Sequence, residues 1–147
     1  MRIALAILLL AGCRSASTAP DQKALNTEAQ VQLNQLSRKL KTYYITMAAF
    51  PAGKTGPLPA TPCCKSTGGR CPVTSAWHAD PIWKELGFDV LDATRFQLAY
   101  ESDGTTATAT AIADLDCDGT PITYTLKLTA KDGVPHAVLD QPSIGAD

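Results

Sequence analysis

The sequence predicts an α+β domain, a long N-terminal amphipathic helix packed on an antiparallel β-meander of three to four strands. Two observations carry that expectation. Leu25, Ala29, Leu33, Leu36, Leu40, Tyr43 and Met47 recur at steps of four and three, which places them on one helical face. In the last third of the chain apolar residues instead alternate with polar ones between Asp-Gly turns, the period of strands wetted on one side.

The chain opens with Met1-Arg2 and the apolar run Ile3–Ala11, the layout of a secretory signal peptide. A spanning helix needs about 20 apolar residues to cross about 30 Å of hydrocarbon. This run is less than half that length, so it reads as an export address. It closes on Leu10-Ala11-Gly12-Cys13, which resembles the lipobox of bacterial lipoprotein precursors. The resemblance implies a diacylglyceryl group on the Cys13 thiol, cleavage before it, and acylation of the new N-terminus. Each buried CH₂ of such chains contributes about 0.8 kcal/mol, and two or more chains anchor stably. Arg14 differs from the Asp that retains such proteins at the inner membrane, so the implied address is the outer membrane. Residues 1–12 are then signal peptide and residues 13–22, small and polar, a lipidated tether. Residues 23–147 form a single domain.

The amphipathic helix starts near Asp21, or at a Thr27–Gln30 capping box, and Phe50-Pro51 and Ala52-Gly53 stop it. Its apolar stripe needs a broad partner; the alternative, a coiled-coil strand, has few heptads behind it. Residues 53–70, with Pro57, Pro59 and Pro62, read as loop. Asp80-Pro81 and Gly87 bracket a helix of one to two turns, Asp80 as N-cap and Gly87 as stop, with Trp83, Leu86 and Phe88 in the core. Strands follow around Phe96–Glu101, Thr106–Ala113 and Ile122–Thr129, with a short addition at Val134–Val138.

The net charge is −1 and no basic patch stands out, which leaves nucleic-acid binding without electrostatic support. Export implies an oxidising compartment. With Cys13 given to lipid, Cys63, Cys64, Cys71 and Cys117 remain, an even number. A ring between neighbours Cys63 and Cys64 would be strained. Two pairings survive: Cys63 or Cys64 with Cys71, and the other with Cys117. The rival use of these thiols, a zinc site with His78, lacks paired C-x-x-C knuckles.

Several runs resemble the globular part of type IV pilins and type II secretion pseudopilins. Tyr43-Tyr44 before Phe50-Pro51 is similar to the end of the pilin helix. Trp83–Phe88 followed by Phe96–Tyr100, and Ala113–Thr120 before the last long strand, are similar to runs in pilin-like proteins. The resemblance spans roughly Leu25 to Thr129 and implies the shape of the domain. A prepilin-peptidase site and a long apolar half-helix, which pilins use to enter a filament core, are missing from this sequence. What is implied is a pilin-like domain on a lipid tether, with an envelope, pilus or secretion protein as partner.

For chemistry, Asp114, Asp116, Asp118 and Gly119 match the first half of a calcium loop, with carboxylates at positions one, three and five. Position twelve in that register is Thr125, where an EF-hand needs glutamate; the plain alternative is a polar turn. His78 and His136 stand alone, and no nucleophile elbow, H-E-x-x-H or phosphate loop occurs. Glu85, Glu101 and Asp140 read as solvated charge. The expected function is a non-enzymatic binding or assembly module at the envelope; the alternative is a calcium-dependent ligand-binding lipoprotein.

Overall fold

The computed structural model describes residues 22–142. Among them the elements run α1 (Gln22–Met47), β1 (Gly53–Leu58), two single-turn 3₁₀ segments (Cys63–Lys65 and Thr67–Gly69), α2 (Ala76–Ala79), α3 (Pro81–Leu86), β2 (Gln97–Ser102), β3 (Thr106–Ala113), β4 (Ile122–Lys131) and β5 (Val134–Asp140). The five strands form one antiparallel sheet in the order β1-β2-β3-β4-β5. α1 lies on one face of it, touching β3, β4 and β5. The α+β class is as the sequence predicts. The strand count is five, against the three to four expected.

α1 forms because its apolar stripe has the right period and a sheet to cover it. Leu25, Ala29, Leu33, Leu36 and Leu40 are all at most 1% exposed. Each large one contributes about 1.5–3 kcal/mol of burial. Tyr43 is only half-buried, and Met47 is 58% exposed, so the stripe outruns the sheet by its last turn. The Thr27–Gln30 capping box does not form. The helix already includes Gln22, the last residue of the predicted tether. The Thr27 hydroxyl donates to the Lys23 carbonyl inside the helix, and the Gln30 amide donates to Gln141.

The inner face of the sheet supplies the other half of the core. Leu98 and Tyr100 of β2, Ala107, Ala109, Ala111 and Ala113 of β3, and Ile122, Tyr124, Leu126 and Leu128 of β4 are all buried. The alanines of β3 lie on the face that α1 crosses, and their small side chains let the helix approach closely. Phe96 and Tyr124 meet edge to face at 5.6 Å, and the Tyr124 hydroxyl donates to Asn26 of α1. The other face carries Thr106, Thr108 and Thr110 across from Thr129, Lys127 and Thr125.

β1 is the strand that a Gly- and Pro-rich segment hides. It pairs with β2 through Gly53↔Ser102 to Leu58↔Leu98, with a register shift between Thr55 and Leu58. Gly56 sits at that shift with φ +90°, and a Cβ there would lie 2.5 Å from the Leu98 carbonyl oxygen. Only glycine lets the two backbones come that close.

α3 follows its sequence signals. The Asp80 carboxylate accepts from the Ile82 and Trp83 N–H groups at 2.9 and 3.1 Å, Pro81 occupies the first turn, and Gly87 ends the helix at φ +57°. The second Asp80 oxygen accepts from the Thr55 hydroxyl, which ties this cap to β1. Trp83, Leu86 and Phe88 are core residues as expected, and Trp77 of α2 joins them: its ring lies 5.4 Å from Trp83 and 5.9 Å from Phe88. None of the described helices is long and apolar enough to cross a membrane.

Candidate functional site

Two disulfides organise the segment between the helix and the meander. Cys63 pairs with Cys71, and Cys64 pairs with Cys117, which selects one of the two pairings the sequence leaves open. The four thiols are therefore committed to each other, and a zinc site built from them with His78 does not form. Cys71 also exchanges backbone hydrogen bonds with Thr94 at 2.7 and 3.0 Å. The longer bridge, 53 residues apart in sequence, ends on Cys117, inside the acidic loop.

That loop joins β3 to β4. Asp114, Asp116 and Asp118 each place a carboxylate oxygen so that all three lie within 4.8 Å of one another. Each carboxylate also holds the backbone: Asp114 accepts from the Gly119 N–H at 3.1 Å, Asp116 from Asp118 N–H at 3.1 Å, and Asp118 from Thr120 N–H at 2.7 Å. Cys117 and Gly119 take positive φ, 64° and 92°, which curls the chain around the cluster. In each acidic residue one oxygen serves the loop. In Asp114 the second oxygen, Oδ1, is buried and accepts no hydrogen bond. Three convergent carboxylates, one of them with a buried, unpartnered oxygen, suit a hard divalent cation. Thr125 is not part of this cluster; it lies within β4, paired with Thr110 and Asp140 on the sheet.

A second polar centre was not legible in the sequence. Glu28, on α1, accepts from the Arg95 guanidinium at 2.9 Å and the Arg95 N–H at 2.7 Å, lies 3.5 Å from Arg70, and accepts from the Thr94 hydroxyl at 3.0 Å. Thr94 in turn accepts from the Gln32 amide at 2.8 Å. Glu28, Gln32 and Arg70 of this network wall a cleft of about 610 Å³ between the first half of α1 and residues 90–93, flanked by the exposed side chains of Val31 and Leu91. The network's links from α1 to Thr94 and Arg95 span more than 60 residues of sequence, so no motif announces it.

The remaining candidates separate. His78 meets Asp89 at 3.5 Å on the surface, with the histidine side chain 69% exposed. Neither residue lines the cleft beside α1. His136 is exposed on β5, across from Thr129. Glu85 accepts from the Tyr43 hydroxyl at 2.6 Å, and this contact raises the Tyr43 pKa. Glu101 pairs with Lys54 at 3.3 Å and Asp140 with Lys127 at 2.7 Å, so the three carboxylates are surface groups in three separate places. Cys13 lies outside the described residues.

Comparison with protein-family models, with curated proteins and with solved structures returned no match to this chain.

Proposed function

We propose that this chain is a lipid-anchored module of a bacterial envelope, with a pilin-like domain that binds or assembles with another envelope component and performs no catalysis. The observation that carries this reading is the cysteine inventory. Four of five cysteines form two bridges with each other, which leaves Cys13 without a cysteine partner in the chain. That residue closes the Leu10-Ala11-Gly12-Cys13 motif after a charged residue and a short apolar run. Two disulfides fit an exported protein, and the odd thiol at the end of a signal-like segment fits lipidation. The described part of α1 starts at Gln22, nine residues after Cys13. The outer membrane is the favoured address, since Arg14 stands where an inner-membrane retention signal would have Asp.

The pilin-like reading draws support from one helix across an antiparallel meander, with a disulfide-bearing segment between them. The surface positions of His78, His136 and the dispersed carboxylates favour binding over catalysis. Radiolabelled palmitate fed to the expressing cells tests the anchor. Wild type is expected to take up label and sediment with membranes, and Cys13→Ser is expected to do neither. Equal membrane recovery of both would refute it.

A calcium-dependent variant of this function has its own support, the buried, unpartnered Oδ1 of Asp114 beside Asp116 and Asp118. These three residues would hold a calcium ion, with the shell completed by water. Extracellular sites of this kind bind with Kd of about 10⁻⁴–10⁻³ M. At 10 mM calcium such binding adds about 1.4–2.7 kcal/mol. A rise in Tm of several degrees is expected, abolished in Asp114→Asn; no shift at that concentration rules this variant out.

A further inference from the structure

The two rims of the sheet are built differently. β1, at one rim, is short, carries Pro57, and breaks register against β2. Proline, bulges and short strands all discourage a further strand from adding there. β5, at the other rim, is a regular strand of seven residues whose outer side has no strand neighbour among the described residues. Val134 and Val138 are exposed on it, at 54% and 61%.

The register fixes which backbone groups face outward. Asp132 and Gly133 both have positive φ, 53° and 76°, and form a two-residue turn closed by the pair Lys131↔Val134. Such a turn is flanked by a hydrogen-bonded pair, and bonded and non-bonded pairs then alternate. Val134, His136, Val138 and Asp140 therefore direct their N–H and C=O groups to β4. Pro135, Ala137 and Leu139 direct theirs to the open rim. Proline falls at an outward position, where no ladder bond to β4 is lost.

We propose that β5 pairs antiparallel with β5 of a second copy of this chain, about a twofold axis at Ala137, joining two five-stranded sheets into one of ten strands. The outward row is self-complementary. Ala137 meets its own counterpart and exchanges two hydrogen bonds with it, and each Leu139 N–H reaches the carbonyl of the partner's Pro135, giving four bonds in all. Side-chain charge agrees with this register. Val134 comes to lie opposite the partner's Asp140, which Lys127 of its own chain already holds at 2.7 Å through one oxygen, and Lys131, next to Val134 on the same face, extends its ammonium group over the valine toward that carboxylate as a second cation. Lys131 is exposed and has no ion pair among the described residues. The twofold makes this contact twice. A bare extended peptide would find the backbone row but not these two ion pairs, which is why a second copy is the favoured occupant. The pairing does not depend on the lipid.

The test uses the full chain carrying Cys13→Ser, so that neither lipid nor its thiol contributes. Sedimentation equilibrium up to several hundred micromolar is expected to show monomer passing to dimer. Ala137→Pro is expected to remain monomeric throughout while keeping the parental melting temperature within a few degrees, because the N–H it removes is not used within the fold. Lys131→Asp is expected to weaken the dimer, and adding Asp140→Lys together with Lys127→Asp, which keeps the pair within each chain, to restore it. Position is read separately by cross-linking with a short bismaleimide. Residues 138 of the two copies are diagonal neighbours, about 7–8 Å apart; residues 134 are about 20 Å apart, six residues along the strand. Val138→Cys should cross-link and Val134→Cys should not. A parent that stays monomeric, a dimer that survives Ala137→Pro, or equal cross-linking at both positions would overturn the proposal.

Discussion

The meander from β2 to β5 and the segment from Gly53 to Arg95 reach the same core by different means. The meander is periodic. Each strand pairs with its sequence neighbour across a short turn, and its buried residues alternate with exposed ones, as in β4 from Ile122 to Leu128. The middle segment has one short strand, helices of fewer than two turns and loops, and almost no period. It is held instead by particular contacts: two disulfides, the cluster of Trp77, Trp83 and Phe88, the Asp80 cap, and the Thr94–Glu28 link to α1. A periodic region spreads its stability over many similar contacts, while an aperiodic one concentrates it in a few. Single changes should therefore cost most in the middle segment.

The largest effect is expected at Trp83, which is fully buried against Trp77, Phe88 and Tyr100. Trp83→Ala should lower stability by about 3–5 kcal/mol, at or above Leu126→Ala in β4, as read by urea denaturation. If Leu126→Ala is clearly the worse of the two, the contrast between the regions fails. Next come the disulfides. In the loop-entropy relation the Cys64–Cys117 bridge is worth about 4 kcal/mol and the Cys63–Cys71 bridge about 2.5 kcal/mol, from separations of 53 and 8 residues. Paired Cys→Ala variants measured under one condition should preserve that order. Asp80→Ala removes the cap of α3 and should cost about 1 kcal/mol; a smaller loss would mean that Thr55, its other partner, takes over the helix end.

The smallest effect belongs to the meander and sharpens the comparison from its side. Asp103, in the β2–β3 turn, accepts from the Thr106 N–H and from the N–H and hydroxyl of Thr105, which lowers its pKa to about 2. Its stabilising contribution is present above the unfolded value of 3.8 and is lost as pH falls from there through about 2. Asp103→Asn should flatten the acid limb of the stability curve only in that window, and an unchanged limb would show that the turn is not held this way. At the alkaline end Tyr100, whose hydroxyl donates to the Pro51 carbonyl, is pushed up to about 12 by burial. The stability it contributes is full below pH 10 and is lost as pH rises through about 12.

What was legible in the sequence follows the same division. The stripe from Leu25 to Leu40, the Asp80–Gly87 brackets and three strands of the meander all rest on local periods or caps, and they fold as read. β1 was not legible because Gly53–Leu58 owes its strand form to pairing with β2 rather than to alternation. α2 is a single turn, too short for a helical period to show. Met47 continues the stripe in sequence but passes the end of the sheet, and no local pattern records where a partner surface stops. At the candidate site, the spacing of Asp114, Asp116 and Asp118 was visible, whereas the buried state of the Asp114 oxygen and the pairing of Cys64 with Cys117 depend on the fold. The Glu28 network joins segments distant in the chain and leaves no trace in either one.

The central claim is that the mature chain begins at Cys13 and carries lipid there. Intact mass spectrometry of the protein extracted from membranes tests it most directly. The account predicts a chain starting at Cys13 with added mass equal to a diacylglyceryl group plus one fatty acyl chain, and with two disulfides. A mass matching an unmodified Cys13, or a chain still starting at Met1, would contradict it.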